Sequence, residues 1–273
     1  MKKGKKKVEL VHEYEMEEGI KCGTFSHSPL SVRDIACVDF KGRLDIWDLE
    51  TGKSKFNVQA HSGIANTVDG IGGKGSEFGA PELVTGGSDG CVRVWDPRTT
   101  EAPVLSLEPS SDLDVKPDCW TVKFGNVHNA EERCIAAGYD NGDVKIFDLR
   151  MNVLKWDDNL KNGVCGIQFD RNDIPMNKLV CTTLESKFHV FDLRTLHPER
   201  KYASVSEMAH KSTIWGASHL PQNRDLFMTL GGNGYLNLYK YKYPTQRSLK
   251  DTDGSEYGVA GSVQLLNDKK IAD

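Results

Sequence analysis

Apolar and polar residues alternate along this chain in short runs, and the runs recur in a fixed order. Five segments follow one template: Gly42-Arg-Leu-Asp-Ile-Trp47-Asp48, Gly90-Cys-Val-Arg-Val-Trp95-Asp96, Gly142-Asp-Val-Lys-Ile-Phe147-Asp148, Ser186-Lys-Phe-His-Val-Phe191-Asp192 and Gly234-Tyr-Leu-Asn-Leu-Tyr239-Lys240. Their aromatic positions are 48, 52, 44 and 48 residues apart. An apolar run precedes each, as in Asp34-Ile-Ala-Cys-Val38, Cys134-Ile-Ala-Ala137 and Lys178-Leu-Val-Cys181. Turn formers that tolerate positive φ stand between the two runs, notably Ser88-Asp89-Gly90, Asp140-Asn141-Gly142 and Gly232-Asn233-Gly234. A further alternating run opens the units (Ile20 to Phe25, Cys119 to Phe124, Val164 to Phe169, Ile214 to His219), and another follows the aromatic (Ser54 to Gln59, Val153 to Asp157, Tyr202 to Ser206). Four short strands per unit, with no convincing helical period, predict an all-β chain built from propeller blades.

The spacing divides a single domain over 1–273 into blades at about 20–59, 60–108, 118–158, 162–206 and 209–266, with an extra strand at 8–15. The fourth strand of the last unit is expected at 258–266.

The pattern resembles the WD-repeat β-propeller family, and the second unit carries it most fully. His61 follows Ala60 where the family has Gly-His, Thr85 lies on the second strand, Asp89 in the turn and Trp95 on the third strand. The resemblance implies that these four side chains form a buried hydrogen-bonded ladder. Other units depart from it: Glu185 and Asn233 stand where the turn aspartate is expected, and Lys240 replaces the final aspartate. From about Ile20 to Leu266 the chain is further similar to the WD-repeat members among the axonemal dynein assembly factors. The runs that carry this likeness include Asp69-Gly-Ile-Gly-Gly73, Asp118-Cys-Trp-Thr-Val122, Ala209-His-Lys-Ser-Thr213 and Gly258-Val-Ala-Gly-Ser-Val263. It implies a cytoplasmic adaptor linked to a co-chaperone and AAA-ATPase assembly complex and to dynein heavy chains. Against a seven-bladed member, five blades and one extra strand make an incomplete ring, whose end blades are expected to expose unpaired edges.

Composition narrows the function classes. Of 273 residues, 35 are Lys or Arg and 39 Asp or Glu, a net charge of −4 that argues against a phosphate-backbone binder. Apolar runs fall far short of a membrane span, and the Lys2 to Lys7 cluster is followed by no signal-like apolar stretch. Seven cysteines without a C-x-x-C pair suit reduced thiols in the cytoplasm. No nucleic-acid partner, membrane or homo-oligomer is expected.

Candidate chemistry is sparse. His61, Thr85 and Asp89 include the residue types of a nucleophilic triad, yet their spacing within one repeat favours the structural ladder. Gly70-Ile-Gly-Gly-Lys-Gly-Ser76 fails the P-loop spacing, because Val68 falls at the first glycine and Gly75 at the hydroxyl position. The histidines never pair with cysteines at zinc spacing. No catalytic, metal or cofactor site is therefore expected. Aligning the first strands on their first apolar residue brings Lys21, Ala65, Trp120, Cys165 and Trp215 to one position, which the resemblance places at the mouth of the central channel. Lys21, Trp120 and Trp215, with Asp118 and Lys211 flanking, are the candidate partner-binding residues, since tryptophan is favoured at binding hot spots. The chain reads as a non-catalytic interaction scaffold. The alternative is a substrate receptor or modified-peptide reader, for ubiquitin or a methylated histone tail, holding an ammonium on the tryptophans.

Overall fold

The computed structural model describes residues 10, 13–29, 31–72, 82–99, 102–112, 114–252 and 254–272. Among them every regular element is a strand, and no helix is long and apolar enough to cross a membrane. The strands form five four-stranded antiparallel sheets. The first holds β1 (Ile20–Thr24), β2 (Asp34–Asp39), β3 (Arg43–Asp48) and β4 (Lys53–Gln59). The second holds β5 (Ala65–Gly70), β6 (Leu83–Gly87), β7 (Val92–Trp95) and β8 (Leu105–Leu107). The third consists of β9 (Cys119–Phe124), β10 (Cys134–Tyr139), β11 (Asp143–Asp148) and β12 (Val153–Asn159), and the fourth of β13 (Val164–Phe169), β14 (Lys178–Thr183), β15 (Lys187–Asp192) and β16 (Ser204–Met208). The fifth runs β17 (Ile214–Leu220), β18 (Asn223–Gly231), β19 (Tyr235–Lys242) and then, beyond a small hairpin of β20 (Ser248–Lys250) and β21 (Glu256–Gly258), β22 (Ser262–Lys270).

Each sheet is a meander whose first strand lies innermost: β1 packs on β5, β5 on β9, β9 on β13 and β13 on β17. Comparable packing between β17 and β1 is absent among the described residues. Because sheets stack on both faces of the middle strands, β10 and β14 are buried at every position, β10 as a nearly unbroken apolar run and β14 with Leu179, Val180 and Cys181 between Lys178 and two threonines. Outer strands such as β4 and β12 keep mostly exposed residues.

One apolar cluster fills each junction. Ala36, Val38, Leu44 and Ile46 of the first sheet meet Ala65, Val68, Leu83 and Trp95 of the second. Val84, Val92 and Val94 then meet Val122, Ile135 and Tyr139. Ala136, Ile146 and Trp156 meet Val164, Leu179 and Phe191, and Val180, Phe188 and Val190 meet Ile214, Phe227 and Tyr239. Ion pairs cross the same junctions: Arg133 to Glu82, Arg194 to Glu132 at 2.6 Å and Arg247 to Asp192 at 2.7 Å. The fully buried Lys178 ammonium sits 2.9 Å from Asp225 and 2.7 Å from the Tyr243 hydroxyl, so its charge is compensated across the fourth junction.

Two expectations are corrected. The fourth strand of the last unit is not 258–266 but Ser262–Lys270, because Gly258 closes the β20–β21 hairpin against Thr195 of the fourth sheet. Of the strand expected at 8–15, residues 8, 9, 11 and 12 lie outside the described residues, and Leu10 and residues 13–15 carry no strand. Tyr14 lies across the first sheet instead, its ring 6.5 Å from that of Trp47.

Candidate functional site

In the second sheet, four polar groups are joined in a chain. The Trp95 indole N–H can only donate, and it donates to Thr85 Oγ1 at 3.0 Å. Thr85 Oγ1 lies 2.8 Å from His61 Nε2, and His61 Nδ1 lies 2.9 Å from Asp89 Oδ1. With the Thr85 hydroxyl donating to Nε2, the remaining ring proton goes on Nδ1 and points at the carboxylate. Asp89 also accepts from the backbone N–H of Ser62 and Cys91 and from Arg93, whose Nη1 further donates to Ala60 O at 2.9 Å. Burial works to raise the Asp89 pKa, but the hydrogen bonds from His61 and Arg93 outweigh it and hold the carboxyl well below the usual range. Thr85 has no exposed surface and both His61 nitrogens are engaged, so the arrangement joins strands and offers no free nucleophile.

The fifth sheet repeats the motif in neutral form. His210 Nε2 lies 2.8 Å from Thr229 Oγ1, Asn233 stands in the turn, and Tyr239 replaces the tryptophan. Asn237, in the register of Arg93, donates to Ala209 O at 2.8 Å.

All five innermost strands carry a β-bulge at their second residue. In a bulge two residues face one on the partner strand, so the extra side chain is re-aimed. The bulged residues are Lys21, Asn66, Trp120, Cys165 and Trp215, which corrects the second unit: Ala65 pairs with Gly87, and Asn66 takes the equivalent position. Alignment on Ile64 misses this because the strand begins on Ala65, too small to signal a start. Asn66 Nδ2 donates to Cys119 O at 3.2 Å, tying neighbouring strands at this level.

The aromatic pair occupies this register on β9 and β17, with β13 between them, and makes no ring contact among the described residues. Trp120 is half-buried, its ring covering Gly163 together with Leu184, whereas Trp215 is 61% exposed. Cys165 between them has its thiol pushed up to about 11 by burial. Lys21 is exposed, with its ammonium 5.7 Å from the Phe40 ring centroid. Asp118 is raised by burial and then by the negative charges of Asp140 and Asp89, so an acidic group stands beside Trp120. Lys211 is exposed and lines a separate cleft at the outer side of the fourth junction. No group of His, Cys, Asp and Glu among the described residues is placed to hold a metal ion.

Stacked four-stranded sheets with the His-Thr-Trp-Asp ladder define a WD-repeat β-propeller protein. No protein-family model matches the chain. It is 57% identical over 266 residues to dynein axonemal assembly factor 10 of Homo sapiens, across 97% of this chain and 74% of the relative. With the protein of that name from Chlamydomonas reinhardtii it is 55% identical over 267 residues, again across 97% and 74%. The Dictyostelium discoideum protein of that name is 25% identical over 263 residues, 87% of this chain and 68% of the relative. The chain belongs to the dynein axonemal assembly factor 10 family.

Proposed function

We propose that this chain is a non-catalytic interaction scaffold in axonemal dynein assembly, an adaptor in the cytoplasm between a co-chaperone complex with its AAA-ATPase and dynein heavy chains. The observation that carries the reading is the identity to dynein axonemal assembly factors across nearly the whole chain. The geometry supplies a means. Sheets locked by apolar clusters and ladders hold loops rigidly, so partners meet a preorganised surface. Lys21, Asp118, Trp120 and Trp215 are the proposed contact residues, with Trp215 as the anchor because most of its indole is open to solvent. The separation of the tryptophans on β9 and β17 favours this reading over an aromatic cage for a methyl-ammonium.

A tagged pull-down from ciliating cells tests it, using wild type, Trp215→Ala and Trp120→Ala/Trp215→Ala, with thermal melts to verify folding. Wild type is expected to return co-chaperone subunits, the AAA-ATPase and dynein heavy chains, and Trp215→Ala to lose at least one of them. Retention of every partner by a folded variant would remove the channel-mouth site, and ligase subunits, ubiquitin or histones in place of the assembly machinery would replace the adaptor by the reader.

A further inference from the structure

At the outer side of the fourth junction, between β16 and β22, lies a cleft of about 530 Å³ lined by Met208, His210, Lys211, Tyr235, Asn237, Leu265 and Asp268 among others. Its lips are apolar and open: Met208 and Leu265 are both exposed. Its floor is polar and incomplete. Asn237 is only 6% exposed, and its amide nitrogen serves Ala209 O and the Tyr239 hydroxyl, but its Oδ1 finds no donor. Two carboxylates stand close by. Glu207 and Asp268 both act on Tyr239, whose pKa is raised by burial and by their charges, and neither forms a hydrogen bond or ion pair with a described residue. His210 is committed to Thr229, and burial lowers its pKa. The lining itself holds one acid, Asp268, and one cation, Lys211, and Glu207, next to the lining Met208 on β16, adds a second acid beside it.

The second sheet shows what fits such a place. At the register point of Asn237 it carries Arg93, whose own guanidinium donates to Ala60 O and Asp89. In the fifth sheet the shorter Asn237 reaches the equivalent carbonyl, Ala209 O, and leaves the space beyond it empty of a guanidinium.

We propose that this cleft binds an arginine side chain presented by an extended segment of a protein partner. The aliphatic stem lies between Met208 and Leu265, and the guanidinium faces Glu207, Asp268 and the unsatisfied Asn237 Oδ1. Arginine suits the site better than lysine, because its planar fork of donors reaches several oxygens at once and stacks on a ring such as Tyr235. The site is distinct from the bulged residues of the innermost strands, so it stands whether or not Trp215 anchors a partner.

The test is a titration of the full chain, labelled with 13C-methyl methionine, with the blocked peptide acetyl-Leu-Arg-Leu-amide and its citrulline counterpart. Citrulline keeps the shape and removes the charge. The Met208 methyl resonance, assigned through Met208→Leu, is expected to shift saturably with the arginine peptide. The citrulline peptide should need roughly tenfold more for the same shift, as should the arginine peptide against Glu207→Gln/Asp268→Asn, two exposed substitutions. Asn237→Arg, which places the chain's own guanidinium in the cleft, should abolish the shift. No shift of Met208, equal response to both peptides, or indifference to Glu207→Gln/Asp268→Asn each overturns the proposal.

Discussion

His219, on β17, shows how one side chain couples this fold to pH. It is 6% exposed, lies against Phe227, and has a ring nitrogen, Nε2, with no partner. Burial dominates the charges of Asp170, Lys178, Arg224 and Asp225 around it and lowers its pKa from 6.5 to about 4. Above pH 6.5 the ring is neutral in folded and unfolded chains alike and costs nothing. Between 6.5 and 4 the unfolded chain takes up a proton that the folded chain refuses, so stability falls as pH falls, by about 3 kcal/mol in all. His27, His189 and His210 are lowered in the same direction, so the effect is read as a difference. In urea unfolding at pH 7 and pH 5, His219→Leu is expected to lose about 2 kcal/mol less than wild type on acidification. Equal losses would show that the buried ring is protonated without cost. At this scale the sequence was legible where residue type and spacing both spoke, as in the ladder of His61, Thr85, Asp89 and Trp95. Asn66 was illegible, because whether a bulge follows Ala65 depends on pairing with Gly87 across the loop between β5 and β6.

Turns between second and third strands carry the repeat's sharpest local demand. Gly42, Gly90, Gly142 and Gly234 adopt φ of 84°, 76°, 92° and 78°, where an added Cβ is strained. The fourth sheet uses Ser186 there, at φ 65°. Ser186→Gly is therefore expected to stabilise the chain by up to about 1 kcal/mol, the relief of strain exceeding the extra chain entropy of the unfolded state. Denaturant midpoints check the sign, and destabilisation would mean that the serine side chain supplies more than its backbone costs. Elements of this kind were legible because alternation and turn chemistry are local. The β20–β21 hairpin was not: the run from Gly258 to Leu266 looks like one strand, and only the distant Thr195, packed on Gly258, divides it. The Arg247 to Asp192 ion pair that fastens this insertion to the fourth sheet is 55 residues long in sequence and leaves no periodic trace.

For the molecule as a whole, stability follows from how many faces of each sheet are covered. The period of the repeats announced stacked sheets, and the stacking is what distinguishes one sheet from another. In the third and fourth sheets β10 and β14 are buried at every residue, since a neighbour packs on either face. Along its middle strands β18 and β19 the fifth sheet buries Phe227, Thr229, Asn237, Tyr239 and Tyr241, on the side of the fourth. Leu226, Met228, Leu230, Leu236 and Leu238 point the other way along the same strands, in pairs set by the β18–β19 register, and all are at least partly exposed. Half of the apolar burial available to such a sheet is therefore missing, and local opening there forfeits contacts with one neighbour instead of two. Native-state hydrogen exchange is expected to show the amides of β18 and β19 exchanging at least about tenfold faster than those of β10 and β14. Equal protection would mean that the sheets open only together, and that the single ion-paired junction around Lys178 holds the fifth sheet as firmly as two packed faces hold the third.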